Sequence, residues 1–137
     1  MTTISLSPDD DEYYGGNGPD AISGLAGNDF INGGSGSDAL FGGTGNDTLN
    51  DGSDGDKDLY FGGAGNDVIN AGTGDFGDRA NGGADDDRIN LYYGSFNIGG
   101  ISLIFGNDFF VFAGGALGIH VTNCESLGLS EIGRAHV

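Results

Sequence analysis

Apolar residues recur along the first ninety residues of the chain with a spacing close to nine. Each is the centre of a triplet that follows an aspartate and a glycine-rich stretch, as in Gly24–Asn32 (GLAGNDFIN) and Gly42–Asn50 (GGTGNDTLN). Successive side chains of a strand point to opposite faces, so a triplet directs its central side chain to one face and its neighbours to the other. The pattern predicts short strands with one inward residue each, and these residues are Tyr13, Ile22, Ile31, Leu40, Leu49, Tyr60, Ile69, Ala80 and Ile89.

The repeat also predicts the architecture. Its units begin at residues 6, 15, 24, 33, 42, 51, 62, 71 and 82. One unit supplies a turn and a strand, so two units close a flattened coil of eighteen residues, and stacked coils pair as parallel strands about 4.8 Å apart. The predicted fold is all-β: a right-handed parallel β-roll, which is a two-sheet β-helix solenoid, with a C-terminal β-strand cap. The units at 51 and 71 have eleven residues and fall on the same edge, so we expect the coil to widen from eighteen to twenty residues.

An aspartate precedes every triplet, and stacking of the coils gathers these aspartates into two rows. The first row contains Asp11, Asp29, Asp47, Asp67 and Asp87, and the second contains Asp20, Asp38, Asp58 and Asp78. Like charges about 5 Å apart repel by several kcal/mol at an intermediate dielectric constant. We therefore expect neither row to be stable without cations.

Calcium fits the expected gaps between successive loops. It takes six to eight oxygen ligands and mixes carboxylates with backbone carbonyls, whereas magnesium requires a stricter octahedron and zinc prefers His or Cys. Four loops on one edge and five on the other leave three and four gaps, which predicts up to about seven calcium ions. The predicted ligands are the nine aspartates together with turn glycines whose carbonyls are exposed: Gly16, Gly18, Gly27, Gly34, Gly36, Gly43, Gly45, Gly63, Gly65, Gly74 and Gly83.

The charge balance narrows the possible partners. Against 21 acidic residues there are 4 basic ones, for a net charge of −17, so the chain lacks the Lys/Arg patches that nucleic acids and anionic membranes require. No apolar run is long enough to insert in a membrane, and the first eight residues do not resemble a secretory signal peptide. Cys124 is the only cysteine, which excludes an internal disulfide.

Motifs of catalytic or EF-hand type are absent from the sequence. Asp54–Asp58 begins like an EF-hand loop, but Leu59 stands where the loop needs glycine. There is no HExxH, GxSxG or GK[ST] motif, and His120 and His136 are isolated. The carboxylates are spaced for stacking rather than for acid–base catalysis. We therefore expect that the chain is not an enzyme.

The nonapeptide pattern GGxGxDxUx, in which U is a large apolar residue, resembles that of the RTX (repeats-in-toxin) calcium-binding β-roll family. The resemblance covers residues 6–90, with departures at Ser7–Asp10, at Ala80 and at Asp85, where a turn glycine is missing. It implies a bacterial protein exported by type I secretion, unfolded in the calcium-poor cytoplasm and folded in the calcium outside the cell. The implied role is structural, adhesive or secretion-assisting.

Beyond the repeats, residues 91–130 form longer apolar segments that predict a β-rich extension capping the roll of residues 1–90. Residues 131–137 resemble the translation of a sequencing adapter and are predicted to be a non-native read-through tail.

Two alternative functions remain at this stage. The chain could be the non-catalytic C-terminal repeat domain of an exported protease or lipase. It could also be a self-assembling subunit of an extracellular fibre or matrix, or bind a partner on a surface or in the matrix.

Overall fold

A computed structural model describes the side chains of residues 1–50, 52, 54–71 and 78–90. Beyond them it describes the backbone of residues 91–92, 98–104, 108–113, 116–122 and 126–130. All regular elements in these ranges are strands. The strands are β1 (Thr2–Ser5), β2 (Glu12–Tyr14), β3 (Asp20–Ala26), β4 (Phe30–Asn32), β5 (Ala39–Thr44), β6 (Thr48–Asn50), β7 (Leu59–Ala64), β8 (Val68–Ala71), β9 (Asp78–Ala84), β10 (Arg88–Tyr92), β11 (Ile98–Ile104), β12 (Asp108–Ala113), β13 (Ala116–Thr122) and β14 (Ser126–Ser130).

The first ten strands alternate between two parallel sheets, as the repeat predicts. Among these ten, the odd-numbered strands lie in an eight-stranded sheet of order β1-β3-β5-β7-β9-β13-β12-β11. The even-numbered ones lie in a six-stranded sheet of order β14-β10-β8-β6-β4-β2. Ile22 pairs with Leu40 in the larger sheet, and Ile31 pairs with Leu49 in the smaller one. Each coil therefore consists of one strand from each sheet, and the parallel β-roll is confirmed.

The coil widens where the two longer units occur. The backbone N–H of Asp29 donates to the carboxylate of Asp47, eighteen residues on, whereas the N–H of Asp47 donates to that of Asp67, twenty residues on. Asp38 and Asp58 are also bonded across twenty residues, on the opposite edge. The spacing stays at twenty residues from Asp58 to Asp78 and from Asp67 to Asp87, so the predicted change from eighteen to twenty residues is confirmed.

The core is a narrow double column of the predicted inward residues. Those from Ile22 to Ile89 are almost completely buried, including Tyr60 and the small Ala80 that pairs with it. Tyr13, at the N-terminal end, is only partly buried and packs against the column with Ile4 and Leu6. Each strand contributes one side chain, so the apolar contribution to stability is small for the number of residues that folding immobilises.

Two parts of the core were not predicted from the repeat. Strand β1 pairs with β3 and places Ile4 opposite Ile22, so the solenoid begins before Leu6, where the repeat was predicted to start. Residues 2–5 have neither the glycines nor the aspartate of a unit. They favour β-structure, however, and form a strand that pairs in register with β3. Ala71 is also buried, beside the column.

The C-terminal strands continue both sheets. Strands β11 and β12 pair in antiparallel fashion, and β12 pairs in the same way with β13. Strand β13 then returns to a parallel arrangement beside β9, while β14 lies parallel to β10, so together they extend the stack. The register places Ile119 opposite Asp78, which means that the second row of aspartates is not continued by β13. These four strands lie within residues 91–130, the segment that was predicted to be β-rich.

The outer faces of the sheets carry side-chain ladders as well. The amide of Asn90 donates to Asn70 at 2.8 Å and that of Asn70 donates to Asn50, while the rings of Phe41 and Phe61 stack with centroids 5.0 Å apart on the other sheet. In the described part of the chain, no helix is both long and apolar enough to cross a membrane.

Candidate metal-binding site

The nine aspartates predicted from the repeat lie along the two edges of the solenoid. We call Asp11, Asp29, Asp47, Asp67 and Asp87 the five-aspartate row, and Asp20, Asp38, Asp58 and Asp78 the four-aspartate row. Eight of the nine are at most 8% exposed, and Asp11, at the N-terminal end, is half-buried. Carboxylates are rarely buried to this extent unless they are paired or bind a cation.

One oxygen of each carboxylate links neighbouring coils. In the five-aspartate row the N–H of Asp11 donates to Asp29 Oδ1, that of Asp29 to Asp47 Oδ1, and that of Asp47 to Asp67 Oδ1, each at 2.8 Å. The four-aspartate row repeats the arrangement, for example from Asp38 N–H to Asp58 Oδ1 at 2.6 Å. These hydrogen bonds bring the aspartates together as the stacking of coils predicts, and they fix which oxygen remains for another ligand.

The second oxygen, Oδ2, is buried without a hydrogen-bond partner in Asp29, Asp47 and Asp67. Asp11 provides an internal comparison, because its Oδ2 accepts hydrogen bonds from the backbone N–H and the hydroxyl of Ser7, at 2.8 and 2.7 Å. Ser7 stands where most of the other units have their second glycine. In the Asp29, Asp47 and Asp67 loops no protein group satisfies this oxygen, and burying an unpaired ionised oxygen is unfavourable.

In the Asp29, Asp47 and Asp67 loops, the first glycine makes room for that oxygen. A Cβ built on Gly42 would clash with Asp47 Oδ2 and lie 2.6 Å from the carbonyl oxygen of Gly62, one coil on. The same holds for Gly24 with Asp29 Oδ2 and Gly42 O, and for Gly62 with Asp67 Oδ2 and Gly82 O. Each unpartnered carboxylate oxygen therefore lies beside a backbone carbonyl of the next coil.

These first glycines were missed by the sequence prediction, which named the second and fourth glycines of the loops. Their recurrence at the start of most units was the signal that could have identified them. The second and fourth glycines serve the turn itself, since Gly43 and Gly45 have φ of 118° and 124°, in the left-handed region that glycine tolerates best. Gly18, Gly27, Gly34, Gly36, Gly63, Gly65 and Gly83 share this conformation, Gly16 does not, and Gly74 lies outside the described residues.

Burial raises the pKa of Asp29, Asp47 and Asp67 above the ordinary value of 3.8. The hydrogen bond from the preceding aspartate N–H opposes this shift, and the charges of neighbouring aspartates add to it. The pKa of Asp67 reaches about 7, with Asp47, Asp87 and Asp85 as the charged neighbours. In the absence of a cation, therefore, the folded chain holds these carboxylates in an environment that disfavours their ionised form.

A pH dependence of the metal-free chain follows from these shifts. A carboxyl group with a higher pKa in the folded state binds more protons when folded, so its unfavourable contribution is absent below 3.8 and grows as the pH rises toward 7. In a chelating buffer we expect β-structure, measured by circular dichroism, to increase as the pH is lowered from about 7 toward 3.8. With saturating calcium the direction reverses, because protons then compete with the metal. A metal-free chain that loses structure on acidification would contradict the carboxylate geometry.

The chemistry of the donor set favours a hard cation bound partly by backbone oxygens. Within the described ranges, no three His, Cys, Asp or Glu side chains are grouped closely enough to hold a metal by themselves. Successive loops instead offer one carboxylate each, together with glycine carbonyls. Zinc is poorly served by such a set, whereas calcium accepts it, and the residues present fit calcium.

Comparison with protein families agrees with this geometry. The model of the RTX calcium-binding nonapeptide repeat matches residues 9–49 and 51–75, in four copies. The matched residues include the three aspartates with an unpartnered oxygen, Asp29, Asp47 and Asp67. No curated protein shows a significant match to the chain.

Proposed function

Because its repeats belong to the RTX family of calcium-binding repeats, we propose that this chain is a secreted calcium-binding module that folds as it binds Ca²⁺ outside the cell. Its role would be structural, adhesive or secretion-assisting. The observation that carries the proposal is the series of buried Oδ2 atoms of Asp29, Asp47 and Asp67, which no protein group satisfies and which lie beside glycine carbonyls of the next coil.

The proposed ligands are the aspartates of the two rows and the carbonyl oxygens of the glycine turns. Bound calcium would supply the positive charge that neutralises each row and the coordination that the Oδ2 atoms of Asp29, Asp47 and Asp67 lack. The protein contributes the positioning. The N–H of one aspartate holds Oδ1 of the next, so that Oδ2 is turned inward, and the first glycine of the loop leaves space for it. The number of occupied gaps stays a prediction, at up to about seven.

Folding and calcium binding are coupled in this proposal because the metal-free roll is poorly stabilised. Its core receives one side chain from each strand, and its edges bury carboxylates whose ionised form is disfavoured. A ligand that binds only the folded state adds its binding free energy to the free energy of folding. Calcium is therefore the contribution that we expect to make the solenoid stable at neutral pH.

Circular dichroism during a calcium titration tests the proposal. We expect a largely unstructured chain in excess chelator and a cooperative gain of β-structure as calcium is added. Magnesium at the same concentrations serves as the control and should have little effect, because it gives up its water shell reluctantly. The same ordered spectrum in chelator and in calcium would disprove the proposed function.

The extension and the tail complete the proposed organisation. We infer that residues 91–130 cap the roll of residues 1–90, since β13 and β14 continue the two sheets and Ile119 takes a position that aspartates hold in the earlier coils. The proposed read-through tail, 131–137, lies outside the described residues.

RTX repeats are non-catalytic and typical of secreted bacterial proteins, and we propose that this chain likewise has no catalytic activity. The alternative is that the chain is the repeat domain of an exported hydrolase. A longer gene that encodes an upstream catalytic domain would establish this alternative. A fibre or matrix subunit is less favoured by the two N-terminal edge strands. Strand β1 is four residues long and β2 three, and both carry exposed polar residues, a feature that opposes edge-to-edge pairing. Sedimentation with and without calcium distinguishes a monomer from an assembly.

A further inference from the structure

Four asparagines stand in one column on the outer face of the smaller sheet. The strand register pairs each with its counterpart in the next coil, and the column consists of Asn32, Asn50, Asn70 and Asn90. Asn32 alone among them is followed by glycine, and two further Asn–Gly pairs, at 17–18 and 81–82, lie outside the column. Such a pair is chemically reactive, because glycine has no side chain to hinder attack of its backbone nitrogen on the asparagine Cγ.

The fold requires the glycine of this pair. Gly33 is buried, and a Cβ built on it would lie 2.6 Å from Asp38 Oδ2 and 3.2 Å from Asp38 Cβ. Asn32 has a structural role as well, since its Oδ1 accepts a hydrogen bond from the backbone N–H of Gly34 at 3.0 Å. A larger residue at position 33 would displace a carboxylate of the four-aspartate row, so the reactive pair is part of this turn.

The folded chain holds the reacting peptide group in place from both sides. The Gly33 N–H, whose nitrogen is the nucleophile, donates to the carbonyl of Asn50 in the next coil at 3.1 Å. The carbonyl of Asn32 accepts from the N–H of Gly15 in the preceding coil at 2.7 Å. Asn32 ends strand β4, and ring closure requires its ψ to rotate away from the strand value. Both hydrogen bonds belong to the peptide group that would turn, so the rotation would break both.

We propose that Asn32 is a deamidation site that is closed in the folded chain and open in the unfolded, metal-free chain. The Gly33 nitrogen attacks Asn32 Cγ and loses its proton, the side-chain amide leaves as ammonia, and a cyclic succinimide forms. Water then adds to either carbonyl of the ring and opens it, which gives aspartate or isoaspartate at position 32. The inference rests on the proposed function only for its dependence on calcium.

The isoaspartate product does not fit the coil. Its main chain passes through the former side chain and is longer by one methylene group between position 32 and Gly33. The Gly33 N–H then loses the carbonyl of Asn50 if β4 keeps its register, and Gly33 is displaced from its place beside Asp38 Oδ2. A chain kept without calcium therefore loses its ability to fold as time passes, whereas the folded chain is protected.

Asn70 is the matched control within the same molecule. It stands in the same column and is followed by Ala71, whose methyl group hinders attack on the asparagine side chain. Proteolytic cleavage before aspartates yields a separate fragment for each asparagine, Asp29–Ser37 with Asn32 and Asp67–Gly74 with Asn70, and neither fragment contains another asparagine. Mass spectrometry of one digest therefore gives the deamidation rate at both positions.

The test incubates the full chain at neutral pH in calcium, in chelator, and in urea with chelator. We expect Asn32 to deamidate at least about tenfold more slowly in calcium than in urea, because the reaction of the folded chain requires local opening of hydrogen-bonded coils. In urea and in chelator it should react several times faster than Asn70. Equal rates for Asn32 in calcium and in urea, or for Asn32 and Asn70 in urea, would overturn the inference.

A second measurement follows the product. The chain aged in chelator is returned to calcium, and size-exclusion chromatography separates the molecules that fold from those that do not. Isoaspartate at position 32, identified by electron-transfer fragmentation, should be confined to the unfolded fraction, and an equal content in both fractions would contradict the predicted loss of folding. If Asn32 is protected equally in chelator and in calcium, relative to urea, then the proposed function fails while the protection of Asn32 by folding stands.

Discussion

Asp47→Asn is expected to destabilise the chain in calcium and to leave it equally stable or more stable in chelator. The substituted amide would keep an oxygen to accept the N–H of Asp29 and would replace the buried, unpartnered Oδ2 by an uncharged group. In calcium this removes an anionic ligand from the two gaps that Asp47 borders. A hundredfold weaker binding at one site corresponds to about 2.7 kcal/mol of folding free energy, and we expect a loss of at least that size. In chelator it removes a buried charge whose ionised form is disfavoured.

Urea denaturation in calcium at neutral pH measures the first effect. The β-structure content in chelator at the same pH, followed by circular dichroism, measures the second. Asp86→Asn is the control, because it removes the same charge from an exposed position outside the row. Equal destabilisation by the two substitutions in calcium would show that the row has no special role. A lower β-structure content of Asp47→Asn than of the wild type in chelator would show that Asp47 is a structural residue rather than a ligand.

Gly42→Ala is expected to have the second large effect, through sterics. The added methyl group would clash with the buried Oδ2 of Asp47 and lie 2.6 Å from the backbone oxygen of Gly62, and neither atom can move without breaking the ladder. Overpacking of this kind typically costs about 1–3 kcal/mol, and we expect about 3 kcal/mol or more here because one of the displaced atoms belongs to the backbone. The calcium concentration needed for folding should rise accordingly.

Gly16→Ala provides the matched control. A Cβ on Gly16 would meet nothing within 4 Å, and Gly16 does not have positive φ, so its alanine should be neutral or slightly stabilising. The substitution also leaves the Gly16 carbonyl in place. Folding midpoints from calcium titrations of the two variants give the comparison, and the result that counts against the steric argument is a similar midpoint for both.

Much of the fold could be predicted from the sequence because it depends only on spacing. A period close to nine fixes which residues are inward, which aspartates share an edge and where the coil widens, since each of these follows from counting residues around a repeating turn. The burial of Ile31, Leu49 and Ile69, and the pairing of Asp38 with Asp58 across twenty residues, needed no information beyond the positions of the units.

The rest depends on side-chain direction and on segments that lack the repeat. Strand β1 pairs through its backbone and has no signature to count. The role of Gly42 becomes visible only when the Asp47 side chain is placed, because the rotamer that sends Oδ1 to Asp29 brings Oδ2 against the glycine. The conformation of Leu25 also did not follow from spacing. Leu25 pairs with Gly43 of the next coil and has a φ of 78°, which leucine rarely adopts.

The two kinds of spacing along the rows also bear on how proteins of this design can change in length. Along both rows, the hydrogen bonds between aspartates join counterparts eighteen or twenty positions apart, which lie in adjacent coils. Insertion or loss of one complete coil would therefore leave all remaining partners in register, whereas a change of a single unit would transfer every later aspartate to the opposite edge. Evolution by duplication should accordingly proceed in pairs of units, and the solenoid can grow without redesign of its interior.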